Sequence, residues 1–273
     1  MRLNKFLSET GAWSRRGADA VIEAGRVTIN GQRAGLGSQV GDGDDVRVDG
    51  AAVGPSRKQV APVYIALNKP AGVTCTTERH VAGNVVDFVG HRERIFPIGR
   101  LDKDSEGLLL LTNDGDVVNE VLRVEHGHEK EYVVAIDAPV TPTFLADLAR
   151  GVRLDDGEVT RPCRAWAVGP RVFRIVLTQG LNRQIRRMCS AFGHRVVTLQ
   201  RVRIMHIALG SLPTGRWRDL TAAEIDGLWR RGPAPPPATA RPAAPRPAGH
   251  GRTTPRGPRP PSQGQSRRRP SRG

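Results

Sequence analysis

Four consecutive leucines, Leu108 to Leu111, follow a polar, charge-dense loop and precede the turn Asn113-Asp114-Gly115-Asp116. An apolar run of this length, bounded by turn-forming residues, reads as a short buried strand. Asp116 stands where it can cap the next helix. No aliphatic run approaches the roughly 20 residues that a membrane-spanning helix needs. The N-terminus, Met1-Arg2-Leu3-Asn4-Lys5, leads into a polar helix and not into a signal peptide's apolar stretch. Cys75, Cys163 and Cys189 stand singly with no Cys-x-x-Cys pair, which predicts neither a disulfide framework nor a zinc site. A reducing, aqueous compartment, the cytoplasm, is therefore expected.

The chain is long enough for about two domains. In residues 1–50, Leu3, Phe6 and Leu7 share a helical face and Gly11 supplies a stop. Ser14 starts a second helix with Ala18, Val21 and Ile22 inward, and Gly25 ends it. Asn30-Gly31 after Arg26-Val27-Thr28-Ile29 signals a hairpin, and Val46-Arg47-Val48 reads as a further strand. Residues 51–61, rich in Ala, Gly, Pro, Ser and basic side chains, read as a linker. Residues 62–230 turn predominantly to strands: Val63–Leu67, Lys130–Ile136, Arg171–Leu177 and Arg195–Leu199. Helices are predicted near Val117–Leu122, Thr143–Arg150 and Asn182–Phe192. This is an α+β arrangement, a mixed and mainly antiparallel sheet with flanking helices, and not a regular βαβ alternation.

The net charge of +15 points to a polyanionic partner. From Arg231 to the end there are ten arginines and no acid, among Pro, Gly, Ala and Ser. Such a segment buries too little apolar surface to offset its ordering entropy, so residues 231–273 are expected to be disordered. Composition leaves two readings of this tail open, a solubilising extension and a flexible arm making salt-sensitive phosphate contacts. No Gly-x-Gly-x-x-Gly opens a helix and no P-loop is present, so no nucleotide cofactor is suggested.

Four ordered segments carry a resemblance. They are Asn68-Lys69-Pro70-Ala71-Gly72, then Gly99-Arg100-Leu101-Asp102 with Asp104-Ser105-Glu106-Gly107-Leu108-Leu109, then Glu129-Lys130-Glu131-Tyr132, and last Gln179-Gly180-Leu181-Asn182-Arg183-Gln184-Ile185-Arg186-Arg187-Met188. Together they resemble the RsuA/RluB/E/F family of pseudouridine synthases, which modify ribosomal RNA. Phe96-Pro97-Ile98-Gly99 and Gly180-Leu181-Asn182-Arg183 match the large-subunit, 23S rRNA type called RluF. The N-terminal run, with Arg2, Lys5, Arg15 and Arg16 outward, is similar to the S4 RNA-binding domain, which positions structured RNA and does no chemistry.

The resemblance implies isomerisation of a uridine by glycosidic cleavage, base rotation and C5–C1′ bond formation, with no cofactor and no metal. It implies a 23S rRNA stem-loop as substrate, a tRNA anticodon uridine as a second target, no membrane partner and a monomer. Asp102 is then the catalytic aspartate, Tyr132 the stacking phenol and a candidate base, and Arg100 the residue that helps displace the flipped base. Without the family, Asp102 is an ordinary loop aspartate, and Tyr132 is equally a buried strand aromatic. If residues 182–192 are helical, Ile185, Met188, Cys189 and Phe192 fall on one face. Arg183 and Arg187 then point to solvent and phosphates, and Arg186 lies at the edge of the apolar stripe. That edge suits a half-buried guanidinium, which predicts Arg186 as the partner of Asp102. The alternative is a catalytically silent S4 RNA-binding or ribosome-assembly factor, for which Asp102, Tyr132 and Arg186 together have no use.

Overall fold

A computed structural model describes residues 1–54, 61–78, 80–122 and 127–229. The basic tail from 231 onward lies outside the described residues. The first element is α1 (Leu3–Glu9), followed by α2 (Arg15–Glu23), which starts where the Ser14 side chain accepts a hydrogen bond from the Gly17 amide at 2.9 Å. Leu3 and Leu7 of α1 pack on Ala18, Val21 and Ile22 of α2, which is the apolar spacing the sequence shows. A small sheet follows, built from β1 (Val27–Ile29), β2 (Gln32–Arg33), β3 (Val46–Val48) and β4 (Ala51–Ala52), in the order β2-β1-β3-β4. Asn30 and Gly31 both adopt positive φ, 51° and 79°, as a two-residue hairpin turn requires.

The expected linker of 51–61 begins too early. Ala51 and Ala52 pair with Val48 and Arg47 as an edge strand, and Val53 donates to the Val46 carbonyl at 2.7 Å. Asp49-Gly50 makes the turn between them, so a low-complexity composition concealed a two-residue strand. Residues 55–60 lie outside the described residues.

The larger sheet contains β5 (Tyr64–Lys69), β6 (Phe96–Ile98), β7 (Glu106–Thr112), β8 (Lys130–Ile136), β9 (Arg164–Gly169), β10 (Val172–Leu177), β11 (Val196–Ile204), β12 (Ile207–Ala208) and β13 (Trp217–Asp219). Its order is β13-β5-β7-β11-β8-β10-β9, with β6 against β7 and β12 against β11. Only the β7–β11 pair is parallel, so the sheet is mixed and mainly antiparallel. The helices are α3 (Val85–Val89), α4 (Gly115–Leu122), α5 (Pro142–Arg150), α6 (Gln184–Ser190) and α7 (Ala222–Leu228). No helix among the described residues is long and apolar enough to cross a membrane.

The four leucines sit in the middle of this sheet, and alternation sends them to two different cores. Leu108 and Leu110 pack with Val117 and Val121 of α4 and Leu228 of α7. Leu109 and Leu111 pack with Ile65, Leu67, Val85 and Ile95 on the other face. A third core gathers Val134, Phe173 and Ile175 under Phe144 and Leu148 of α5 and Ile185 and Met188 of α6. Phe192, expected inward on α6, lies past the helix end and is 36% exposed, with its ring edge-on to Phe144.

Candidate active site

The loop between β6 and β7 carries Arg100, Asp102 and Asp104. Gly99 turns it at φ 78°, and Ser105 donates its amide to the Asp102 carbonyl at 3.1 Å, closing a tight turn around the aspartate. The loop ends at Gly107, whose φ is 101° and whose backbone lies against Arg201 of β11. An added Cβ there would stand 2.3 Å from the Arg201 carbonyl oxygen. Glycine is therefore required where the loop enters β7, because β7 and β11 approach too closely for a side chain.

Buried cations hold this loop by its main chain. Lys69, fully buried at the end of β5, donates from Nζ to the carbonyls of Pro70 and Val73 at 2.9 Å and of Lys103 at 3.4 Å. Burial holds its pKa below the usual lysine range, against the opposing pull of Cys75, Asp104 and Asp102. Arg201, 3% exposed, donates from Nε to the Leu108 carbonyl at 2.7 Å and from Nη1 to the Arg100 carbonyl at 3.3 Å. Arg186 donates from Nη2 to the Asp104 carbonyl at 3.1 Å and to Ser105 Oγ at 3.3 Å.

The predicted Arg186–Asp102 pair does not form. The carboxylate beside Arg186 belongs to Asp104, at 3.3 Å, and the guanidinium nearest Asp102 is that of Arg183, at 3.9 Å. Arg183 also grips Asp104 with two parallel bonds of 3.0 and 2.9 Å, which holds that carboxyl below the usual carboxylate range. The helical wheel failed because α6 begins at Gln184, two residues later than expected. Arg183 is its N-cap, in the left-handed region at φ 47°, and its side chain, still 45% exposed, lies over the loop against Asp104. Arg187, assigned to phosphates, is held in ion pairs by Asp155 and Asp156, the latter at 2.6 Å.

Asp102, Arg100, Tyr132 and Arg183 meet in one cleft of about 920 Å³. Tyr132 lies on β8 directly opposite Arg201 of β11, half-buried between two apolar clusters. The Asp102 side chain is 28% exposed and accepts no hydrogen bond among the described residues, so its carboxylate faces the cleft uncommitted. From the N-terminal unit, Arg16 reaches the same cleft with a 92% exposed side chain, 3.9 Å from Glu78. Arg2 and Arg15 are exposed away from it, and Lys5 pairs with Asp116 at 3.0 Å.

Three site residues escaped sequence reasoning. Lys69 and Lys130 lie inside recognised motifs, and Lys130, two residues before Tyr132, must share its strand face. Arg201 gave a different signal, an arginine inside a segment otherwise patterned as a buried strand.

Residues 63–191 match the family described as RNA pseudouridylate synthase, and residues 1–46 match the S4 domain. The dual-specificity RNA pseudouridine synthase RluF of Salmonella typhi is 53% identical over 229 residues, 84% of this chain and 78% of that protein. The ribosomal large subunit pseudouridine synthase B of Bacillus subtilis is 36% identical over 236 residues, 83% of this chain and 95% of the relative. A pseudouridylate synthase crystal structure superposes with a TM-score of 0.62 at 30% identity, covering 84% of this chain and 99% of the other. With a loop aspartate, a strand tyrosine and Arg16 of the N-terminal unit meeting in one cleft, the chain belongs to the RNA pseudouridylate synthase family and carries an S4 domain at its N-terminus.

Proposed function

We propose that the chain isomerises a uridine in a 23S rRNA stem-loop, with a tRNA anticodon uridine as a second substrate, and that Asp102 is its catalytic carboxylate. The observation that carries this reading is the uncommitted Asp102 carboxylate in a cleft shared with Tyr132. A uridine within a stem cannot expose C1′, so the base must first be flipped out, at a cost of a few kcal/mol. Arg100, exposed at the cleft, takes the vacated place in the stem, and Tyr132 stacks on the extruded uracil. As the N1–C1′ bond breaks, positive charge develops on the sugar, where the Asp102 carboxylate stabilises it, attacks it or removes a sugar proton. Arg183 and Arg186 fix the loop through Asp104. Arg2, Arg15 and Arg16 supply phosphate contacts that position the stem. The dual specificity named for the Salmonella relative, 53% identical, supports two RNA targets.

The test is Asp102→Asn, which keeps size and polarity. Carbodiimide mapping of rRNA and tRNA from cells carrying only the variant is expected to show no pseudouridine at the sites the unaltered protein modifies. Retained modification would overturn the catalytic assignment and favour a pure RNA-binding role.

A further inference from the structure

We propose that Lys130 and Arg201 form a cationic floor of the cleft, which binds the detached uracil and holds the negative charge it carries while it is off the sugar. The inference rests on the pseudouridine synthase reading and goes beyond it by assigning the stabilisation of the leaving base.

Strand geometry puts the two cations together. Lys130 and Tyr132 alternate onto the same face of β8, and Arg201 is the register partner of Tyr132 on β11, so all three line the cleft. Each of the two cations is desolvated without a counter-ion. Arg201 spends Nε and Nη1 on carbonyls, while its Nη2 is buried with no partner. Lys130 makes one long bond, to the His128 carbonyl at 3.4 Å. Burial, with Arg201 as a neighbouring like charge, pushes its pKa down to about 8. Among the described residues no carboxylate pairs with either group.

The opposite face of the same strands shows what a purely structural arrangement looks like. There Arg203 donates to Glu131 at 3.0 Å and to Glu129 at 3.1 Å, and Glu131 also accepts from Arg174 at 2.6 Å. Buried charge is matched on that face and left unmatched on the cleft face. Unpaired desolvated cations are costly and are retained where an anion is to arrive.

The reaction supplies that anion. When the N1–C1′ bond breaks, its electron pair leaves with N1 and spreads over the two carbonyl oxygens and C5 of the ring, while the sugar carbon is met by Asp102. C5 then donates a pair to C1′, its proton is removed and N1 gains one, so the sequence is a net isomerisation with no oxidant or reductant. Cations fixed in the lining of the cleft favour charge that exists only after cleavage begins, which is where preorganised electrostatics lower a barrier most.

The experiment compares two RNA substrates under single turnover, one with uridine at the target and one with 5-fluorouridine, whose base is the stronger acid and leaves as the more stable anion. Lys130→Met is expected to slow pseudouridine formation roughly 100-fold with little change in KM. On the fluorinated RNA, read as loss of 5-fluorouridine from nuclease digests, the deficit is expected to shrink to tenfold or less by the same reasoning. Lys130→Arg is expected to recover most of the rate. Equal deficits on both RNAs, or no deficit on either, would overturn the inference. Should Lys130→Met fail to fold, Lys130→Gln carries the same comparison. Failure of the unaltered protein to form any pseudouridine would instead sink the functional reading beneath it.

Discussion

Replacing Gly107 by alanine tests how the active loop is built. Gly107 sits at φ 101°, where an L-residue is strained by about 1–3 kcal/mol. Its added Cβ would also meet the backbone of Arg201, 2.3 Å from the carbonyl oxygen and 2.7 Å from the amide nitrogen. Backbone cannot rotate aside as a side chain can, so the parallel β7–β11 pair must part, an overpacking cost of about another 1–3 kcal/mol. The sum, roughly 2–6 kcal/mol, translates into a Tm loss on the order of 10 °C for a domain of this size. The function is expected to suffer more than the stability. Parting the strands moves Arg201, which holds the Arg100 and Leu108 carbonyls and so both flanks of Asp102. Thermal melts and single-turnover pseudouridine formation on the same preparation check both effects. A variant melting within about 2 °C of the parent, well inside the predicted cost, and modifying RNA at full rate would refute the close-approach argument.

Two predictions concern charge. Arg203→Met takes from Glu131, 6% exposed, one of its two cations and leaves Arg174 at 2.6 Å, so it is expected to cost about 1–3 kcal/mol in urea unfolding. The double change Arg203→Met with Glu131→Met is expected to recover part of that loss, since Arg174 then loses its partner but is itself partly exposed, and a double variant no better than the single would argue against a cost from under-paired buried charge. At the start of α7, Glu224 accepts two bonds of 2.7 Å from Arg218 and one of 2.9 Å from the Thr221 amide. Arg218 first, then the Thr221 amide, holds its pKa at about 2, against an ordinary value of 4.5. Because the folded pKa is depressed, this stabilisation is present above pH 4.5 and is lost as pH falls toward 2. Glu224→Gln is therefore expected to be about 1–2 kcal/mol less stable at neutral pH, allowing for solvent screening. That gap should close on acidification, and a gap constant with pH would count against the ion pair.

Much of this architecture was legible because local patterns and packing agree. The Lys130–Ile136 strand, the Ser14 cap and the Asn30-Gly31 turn follow from alternation, capping chemistry and tolerance of positive φ. What stayed hidden depends on register. Arg201 and Arg203 are two apart, and strict alternation would place them on one face. A bulge between them sets Arg201 opposite Tyr132 and Arg203 opposite Glu131, sending one guanidinium into the cleft and the other into a buried ion network behind it. Nothing local signals that extra residue. The Arg183–Arg186 exchange has the same origin, since a two-residue error in where α6 begins redirects the side chain that comes nearest Asp102. Boundary errors are harmless in a core helix and decisive at a site.

The loop that bears Asp102 is fixed without using the Asp102 side chain. Lys69 binds the Lys103 carbonyl, Arg186 the Asp104 carbonyl, and Arg201 the carbonyls of Arg100 and Leu108. The amide of Leu101 points to the sulfur of Cys75 at 3.4 Å. Each bond is made to main chain, so the loop is immobilised on both sides of the aspartate. Arg183 spends its two parallel bonds on Asp104 and stops 3.9 Å short of Asp102. A carboxylate locked in a bidentate guanidinium pair is stabilised as the anion and is correspondingly weaker as a base or nucleophile. On the proposed reading Asp104 is the structural acid and Asp102 the reactive one, held in place by its neighbours' carbonyls. If Asp102→Asn abolishes modification as proposed, two aspartates two residues apart in one motif divide anchoring from chemistry.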